Sequence, residues 1–175
     1  VTRNGETANG AGDATTFNSS EGVFMIEMAA LADDGTNRLI TISNGTTNNR
    51  LIIQHNSQSN AISCNMVVGG SARGVIDYVA TDITSFNKIA LKYSATNFDL
   101  YVNGILRDSG GSGSVMTANT MNELQFANYN GTLNYYGKAK QIQYFDTALN
   151  DSDLETLTSW TSFTDLANGQ QYSII

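Results

Sequence analysis

Nine residues, Asn128-Tyr129-Asn130-Gly131-Thr132-Leu133-Asn134-Tyr135-Tyr136, gather three tyrosines and three asparagines. A tyrosine ring has a negative face that suits the weakly positive C–H edges of a sugar. An asparagine amide is a planar donor–acceptor pair for hydroxyl groups. Asn130-Gly131 places both beside a turn, where binding residues are commonly carried. Asn128, Tyr129, Asn130, Asn134, Tyr135 and Tyr136 therefore form the first candidate carbohydrate-binding set. Rim packing, with the tyrosines covering a core edge, is the structural alternative. A second set, Lys92, Asp99 and Tyr101, falls on the outward stripe of a central hairpin. A third, Asp33, Asp34 and Asn37, clusters hard oxygens on one turn, as calcium prefers. No full Asp-x-Asn-x-Asn-Gly loop is present there, so a hairpin turn with solvated aspartates is the competing reading.

Catalytic patterns are missing. Glycoside hydrolysis needs two carboxylates across a cleft, and Glu27 has Ala29 where an acidic partner would stand two residues on. Asp99 is likewise alone. Gln54 and His55 are adjacent, so on a strand they point to opposite faces. No Gly-x-Ser-x-Gly elbow exists, and Gly111-Ser112-Gly113 lies in a glycine-serine loop that would hold a nucleophile poorly. Cys64 is the only cysteine and His55 the only histidine, which removes intrachain disulfides and Cys- or His-cluster metal sites. Cys64 reads as a half-buried strand residue.

The elements that must position these groups are strands. Lys88 to Arg107 alternates apolar and polar residues: Ile89, Leu91 and Tyr93 share one face, then Phe98, Leu100 and Val102. Asn103-Gly104 supplies the positive φ of a tight hairpin. Further strands are expected at Val23–Leu31 (apolar on both faces, hence central), Arg38–Ser43, Arg50–His55, Ala61–Val68, Val75–Val79, Asn122–Tyr129 and Gly137–Phe145. Leu124, Phe126, Ile142 and Tyr144 are expected to point inward. Asp108 to Ser114 reads as a flexible surface loop and Gln171–Ile175 as a last strand. Ser152-Asp153-Leu154-Glu155 matches a capping box and predicts a two-turn helix over Asp153–Ser159, with Ser152 as N-cap and Trp160 as its anchor on the sheet.

Composition agrees. The 175 residues fit one domain, residues 1–175, with 16 glycines, 20 asparagines and six Asn-Gly dipeptides as punctuation for many short strands. Roughly a dozen strands and one short helix imply an all-β fold: an antiparallel β-sandwich of two packed sheets. A net charge of −7 repels phosphate backbones, so nucleic-acid binding is excluded as a main role. No apolar run reaches the ~18 residues of a membrane span, so no membrane insertion is expected. The chain starts at Val1 without a methionine, which suggests a piece of a longer protein or a processed product.

Two segments resemble a known family. Lys88–Gly104, with Ile-Ala-Leu-Lys-Tyr and Leu-Tyr-Val-Asn-Gly, is similar to the central hairpin of concanavalin A-like lectin/glucanase domains, specifically the laminin-G-like jelly roll. Gly137–Leu157, with Thr147-Ala148-Leu149-Asn150-Asp151-Ser152-Asp153-Leu154, resembles that family's closing strand, turn and short helix. More loosely, the chain is similar to lectin-like modules of tailed-phage structural proteins, through Asp33-Asp34-Gly35-Thr36-Asn37-Arg38 and Thr158-Ser159-Trp160. The resemblance implies binding of a glycan or cell-surface protein, often with calcium at the sandwich rim, and the missing carboxylate pairs make a noncatalytic module the expectation. It also implies a virion or extracellular setting beside other virion or adhesin subunits. The competing class is an assembly domain whose sheet face packs on protein, and an exposed apolar patch would favour it.

Overall fold

A computed structural model describes residues 11–110 and 114–159. In chain order the elements are β1 (Gly22–Ala30), β2 (Arg38–Ser43), β3 (Arg50–His55), β4 (Ala61–Val68), β5 (Ser71–Val79), β6 (Asn87–Tyr93), β7 (Phe98–Val102), β8 (Ile105–Ser109), β9 (Glu123–Gln125), β10 (Gly137–Phe145) and α1 (Asp151–Ser159). They form two five-stranded sheets, ordered β10-β1-β6-β7-β8 and β5-β4-β3-β2-β9. The neighbouring strands pair antiparallel, so this is the β-sandwich that the alternation implies.

Side-chain alternation builds the core. From the first sheet Phe24, Ile26, Met28, Ile89, Leu91, Phe98 and Leu100 point between the layers. Ile26 faces Ile142 on one neighbour and Ile89 on the other, which fixes the register of three strands at once. Ile40, Ile42, Leu51, Ile53, Ile62, Cys64 and Ile76 meet them from the second sheet. Burying each such side chain contributes about 1.5–3 kcal/mol. β1 is buried along its whole length, as its two-sided apolar pattern requires. Ile142 and Tyr144 pack against the core as expected. Asn103 and Gly104 adopt φ of 53° and 81°, and their hairpin joins β7 to β8.

Several expectations are corrected. Cys64 is fully buried rather than half-buried, and burial pushes its thiol pKa up. β5 starts at Ser71, four residues early, because a bulge opposite Met66/Val67 lets pairing continue past Gly74. β8 takes Asp108 and Ser109 from the expected surface loop. β9 stops at Gln125, since Asn128 to Thr132 folds into its own turn, with Asn128 N–H donating to the Thr132 carbonyl at 2.8 Å. The helix is capped by Asn150, two residues before Ser152: Asp153 N–H donates to Asn150 Oδ1 at 2.9 Å, and Asn150 Nδ2 donates to Asp153 Oδ2 at 2.7 Å. Asn150 and Asp153 thus pair reciprocally in place of Ser152 and Glu155, with the return bond donated by the Asn150 side-chain amide rather than its backbone N–H. Trp160, Gly111-Ser112-Gly113 and the Gln171–Ile175 strand lie outside the described residues.

Candidate functional site

Each sheet has an outer face, and the two are treated differently. On the first sheet, Val23, Met25, Ala90 and Tyr101 point away from the core. Leu154 and Leu157 of α1 land on them and close a second apolar cluster. Lys92 Nζ sits between Asp151 Oδ1 at 3.0 Å and Asp99 Oδ2 at 3.8 Å, so its charge is matched within the protein. Asp99 also accepts a hydrogen bond from Ser109 Oγ. Tyr101 is 1% exposed and Asp99 4%. Burial, with Asp151 beside the hydroxyl, pushes the Tyr101 pKa up. Lys92, Asp99 and Tyr101 therefore do not form the open outward stripe expected of them. The apolar side of α1 needs an apolar seat, and this stripe is the seat.

The second sheet's outer face carries Leu39, Thr41 and Ser43 from β2. Opposite them stand Gln54, Ile52 and Arg50 from β3, and then Ser63, Asn65 and Val67 from β4. The helix packs on β6, β7 and β8, on the other side of the molecule. A groove of about 370 Å³ lies on this face. Leu39, Ile52, Val67 and Ala72 give it an apolar floor; Arg50, Gln54 and Asn65 are its polar side chains; Asn128 and Leu133 form its lip. Leu39 N–H donates to the Leu133 carbonyl at 3.2 Å, which ties the lip to the edge of β2.

Arg50 joins the groove to the tyrosine-rich turn. Its Nη1 donates to Asn128 Oδ1 at 2.7 Å, and its guanidinium lies 5.6 Å from the centroid of the Tyr129 ring. Its Nε is enclosed and has no hydrogen-bond partner. Burial pulls the Arg50 pKa below its ordinary value. Asn130 stabilises the turn from within, its Oδ1 accepting from Thr132 Oγ1 at 2.6 Å and Thr132 N–H at 3.2 Å. Gly131, at φ 74°, takes the left-handed conformation the turn requires.

Of the six residues proposed at this rim, Asn128 and Tyr129 stand beside Arg50. Asn134 and Tyr136 are half-buried and do not line the groove. Tyr135 packs against the core, 6.4 Å from the rings of His55 and Phe126, and its Oη donates toward the Lys138 carbonyl at 2.9 Å and the Ala29 carbonyl at 3.2 Å. That is rim packing. Gln54 and His55 do point to opposite faces: Gln54 into the groove, His55 into the fully buried interior. Arg50, Gln54 and Asn65 were absent from the sequence-based candidates. The alternation Arg50-Ile52-Gln54 against Leu51-Ile53-His55 was the signal that could have found them.

The Asp33, Asp34 and Asn37 turn does not suit calcium. Arg38 grips both oxygens of Asp34, at 2.8 and 2.7 Å, and holds its carboxyl well below the usual carboxylate range. Asp33 Oδ2 accepts from Ser59 Oγ and from Asn60 N–H. A cation would have to displace these donors. Among the described residues no group of three or more His, Cys, Asp or Glu side chains is placed to hold a metal ion. Glu27 accepts from Lys140 Nζ at 3.0 Å and Gln141 Nε2 at 3.2 Å, which ties its carboxylate up within the sheet.

Comparison with known proteins places this geometry. A family model described as the concanavalin A-like lectin/glucanases superfamily matches residues 8–155. No curated protein sequence matches the chain. Among solved structures the chain is similar to a leech intramolecular trans-sialidase complexed with 2,7-anhydro-Neu5Ac, with 17% identity and a TM-score of 0.73. That match covers 91% of this chain and 26% of the enzyme. It is similar to the CBM40 of a Ruminococcus gnavus IT-sialidase bound to α2,3 sialyllactose, with 17% identity and a TM-score of 0.67, covering 89% of this chain and 97% of that one. It is also similar to the binding domain of Botulinum neurotoxin DC in complex with rat synaptotagmin II, with 12% identity and a TM-score of 0.62, covering 83% of this chain and 37% of that one. At these identities the likeness concerns the fold.

Proposed function

The chain belongs to the concanavalin A-like lectin/glucanase superfamily, and from that premise we propose that it is a noncatalytic module that recognises carbohydrate. The observation that carries this reading is the groove on the outer face of β2, β3 and β4. It combines an apolar floor with three planar amides (Gln54, Asn65 and Asn128) and one guanidinium. Sugars ask for that combination: C–H faces rest on apolar or aromatic surface, and hydroxyls pair with planar amides. Tyr129 is held beside Arg50 but is not itself part of the groove's lining. The neighbours lend support, since one is a CBM40 bound to sialyllactose and another is a toxin's binding domain in complex with synaptotagmin II.

The groove is shallow, so one copy binds weakly. Display of several copies on a phage virion or an extracellular adhesin would raise avidity ~10²–10⁴-fold without any new contact. The module then serves attachment to a host-surface glycan, beside other subunits of the particle or adhesin. A second reading, an assembly domain, is favoured by a specific observation. Val75 and Val79 on β5 are 54% and 53% exposed, and Ile105 and Leu106 on β8 are 52% and 43% exposed, along neighbouring sheet edges.

A glycan panel probed with and without calcium tests both readings. The expected result is binding to a restricted set of glycans that survives EDTA, because the carboxylates of Asp33 and Asp34 are already engaged. A blank panel, together with concentration-dependent association that Val75→Asp abolishes, would move the chain to the assembly class.

A further inference from the structure

Resting on the recognition reading above, we propose that the groove selects saccharides that carry a carboxylate, and that Arg50 is the group that binds it. A guanidinium has five N–H donors. Among the described residues the Arg50 side chain donates one hydrogen bond, to Asn128, and takes no part in the ion pairs. A half-buried cation with that much unused donor capacity is costly unless a negative group meets it. The groove offers none: its lining is aliphatic side chains, three amides and Arg50, with no aspartate or glutamate.

Three other cations are matched by carboxylates, whereas Arg107, 4.8 Å from the Tyr78 ring centroid, resembles Arg50 in its aromatic neighbour and enclosed Nε but does not line the groove. Arg38 is gripped by Asp34, Lys140 by Glu27, and Lys92 by Asp151 and Asp99. Arg50 is instead held by neutral groups, Asn128 and the Tyr129 ring. They fix the guanidinium without neutralising it and leave Nη2, which the hydrogen bond to Asn128 does not use, to donate a charge-assisted N–H···O bond to a carboxylate, while Nε stays enclosed. The net charge of −7 does not forbid an anionic ligand, since at physiological salt distant charges are screened beyond about 8 Å. Gln54 lies four residues along β3 from Arg50, about 13 Å away in an extended strand. A ligand that reaches both is longer than one sugar unit. Sialic acids and uronic acids both supply the carboxylate.

Titration calorimetry with two matched pairs tests the proposal and separates the two sources: 3′-sialyllactose against lactose, and a galacturonate trimer against its carboxyl-reduced counterpart. In at least one pair the acidic member should bind roughly tenfold or more tighter, and the pair that shows the margin names the source. Arg50→Gln should erase the margin, the acidic member losing far more affinity than the neutral one, with a melting curve checking that the variant stays folded, and Arg50→Lys should restore part of it. Equal binding of both members, a margin that survives Arg50→Gln, or glycan-panel hits that are all neutral would each overturn the carboxylate assignment and leave carbohydrate recognition standing. No binding by any of the four probes, together with a blank glycan panel, would bring down the recognition reading itself.

Discussion

The outer faces of the two sheets start from similar material and end differently. Each sets aliphatic side chains beside long polar ones: Val23, Met25 and Ala90 with Lys92 and Tyr101 on the first, Leu39, Ile52 and Val67 with Arg50 and Gln54 on the second. On the first face α1 comes down and covers Val23, Met25, Ala90 and Tyr101. On the second the helix does not arrive; Leu39 and Ile52 lie buried beneath the groove, beside a cation that neutral groups hold. Alternation along a strand thus determines which side chains share a face. Whether that face is roofed depends on an element far away in sequence.

The largest effect that would break this contrast lies under the helix. Leu154 is fully buried between α1 and the first sheet. Leu154→Ala should lower stability in denaturant unfolding by about 2–5 kcal/mol. A cost no larger than that of a surface substitution would mean the first face is not sealed.

Next comes a pH effect behind the second face. His55 has both ring nitrogens buried without a hydrogen-bond partner. Burial, reinforced by Arg38 and opposed by Asp33, lowers its pKa from 6.5 to about 4. The folded state therefore resists protonation, while the unfolded chain takes up a proton near pH 6.5. Stability should fall as pH drops from about 6.5 to about 4, by up to roughly 3 kcal/mol from this residue, and level off below that. Unfolding curves of the native chain and His55→Gln across that range should differ in slope; identical slopes would contradict the assignment.

The smallest effect sharpens the contrast at the level of binding. Lys92→Gln should leave affinity for any glycan hit unchanged, because its charge is spent beneath α1. Arg50→Gln should weaken an acidic hit about tenfold, the strength of a charge-assisted contact. Equal losses at both positions would erase the functional distinction between the faces.

Much of the fold was legible because core strands advertise their period. Ile89, Leu91 and Tyr93 declare their shared face without any structure, whereas β1, apolar on both faces, declares only that it is central. Edges were harder. β9 shortened because Asn128 to Thr132 satisfies its own backbone, and the helix began early because Asn150 competes well with Ser152 as a cap. The candidate site was legible only at its lip. Asn128 and Tyr129 advertise themselves by clustering. Arg50, Gln54 and Asn65 are spread across two strands and converge through pairing, with Arg50 two alternations from Gln54 and Asn65 opposite Ile52. Tyr135 clusters with Tyr129 in sequence but serves the core, because a tyrosine's apolar body suits a rim as well as a ligand.

The most direct test of the account follows backbone amide chemical shifts while a saccharide hit is titrated into the whole chain. The account predicts perturbations centred on Arg50, Gln54, Asn65, Asn128 and Tyr129, with β7 and α1 silent. Shifts concentrated around Asp99, Tyr101 and α1, or along the Val75 and Val79 edge, would contradict it.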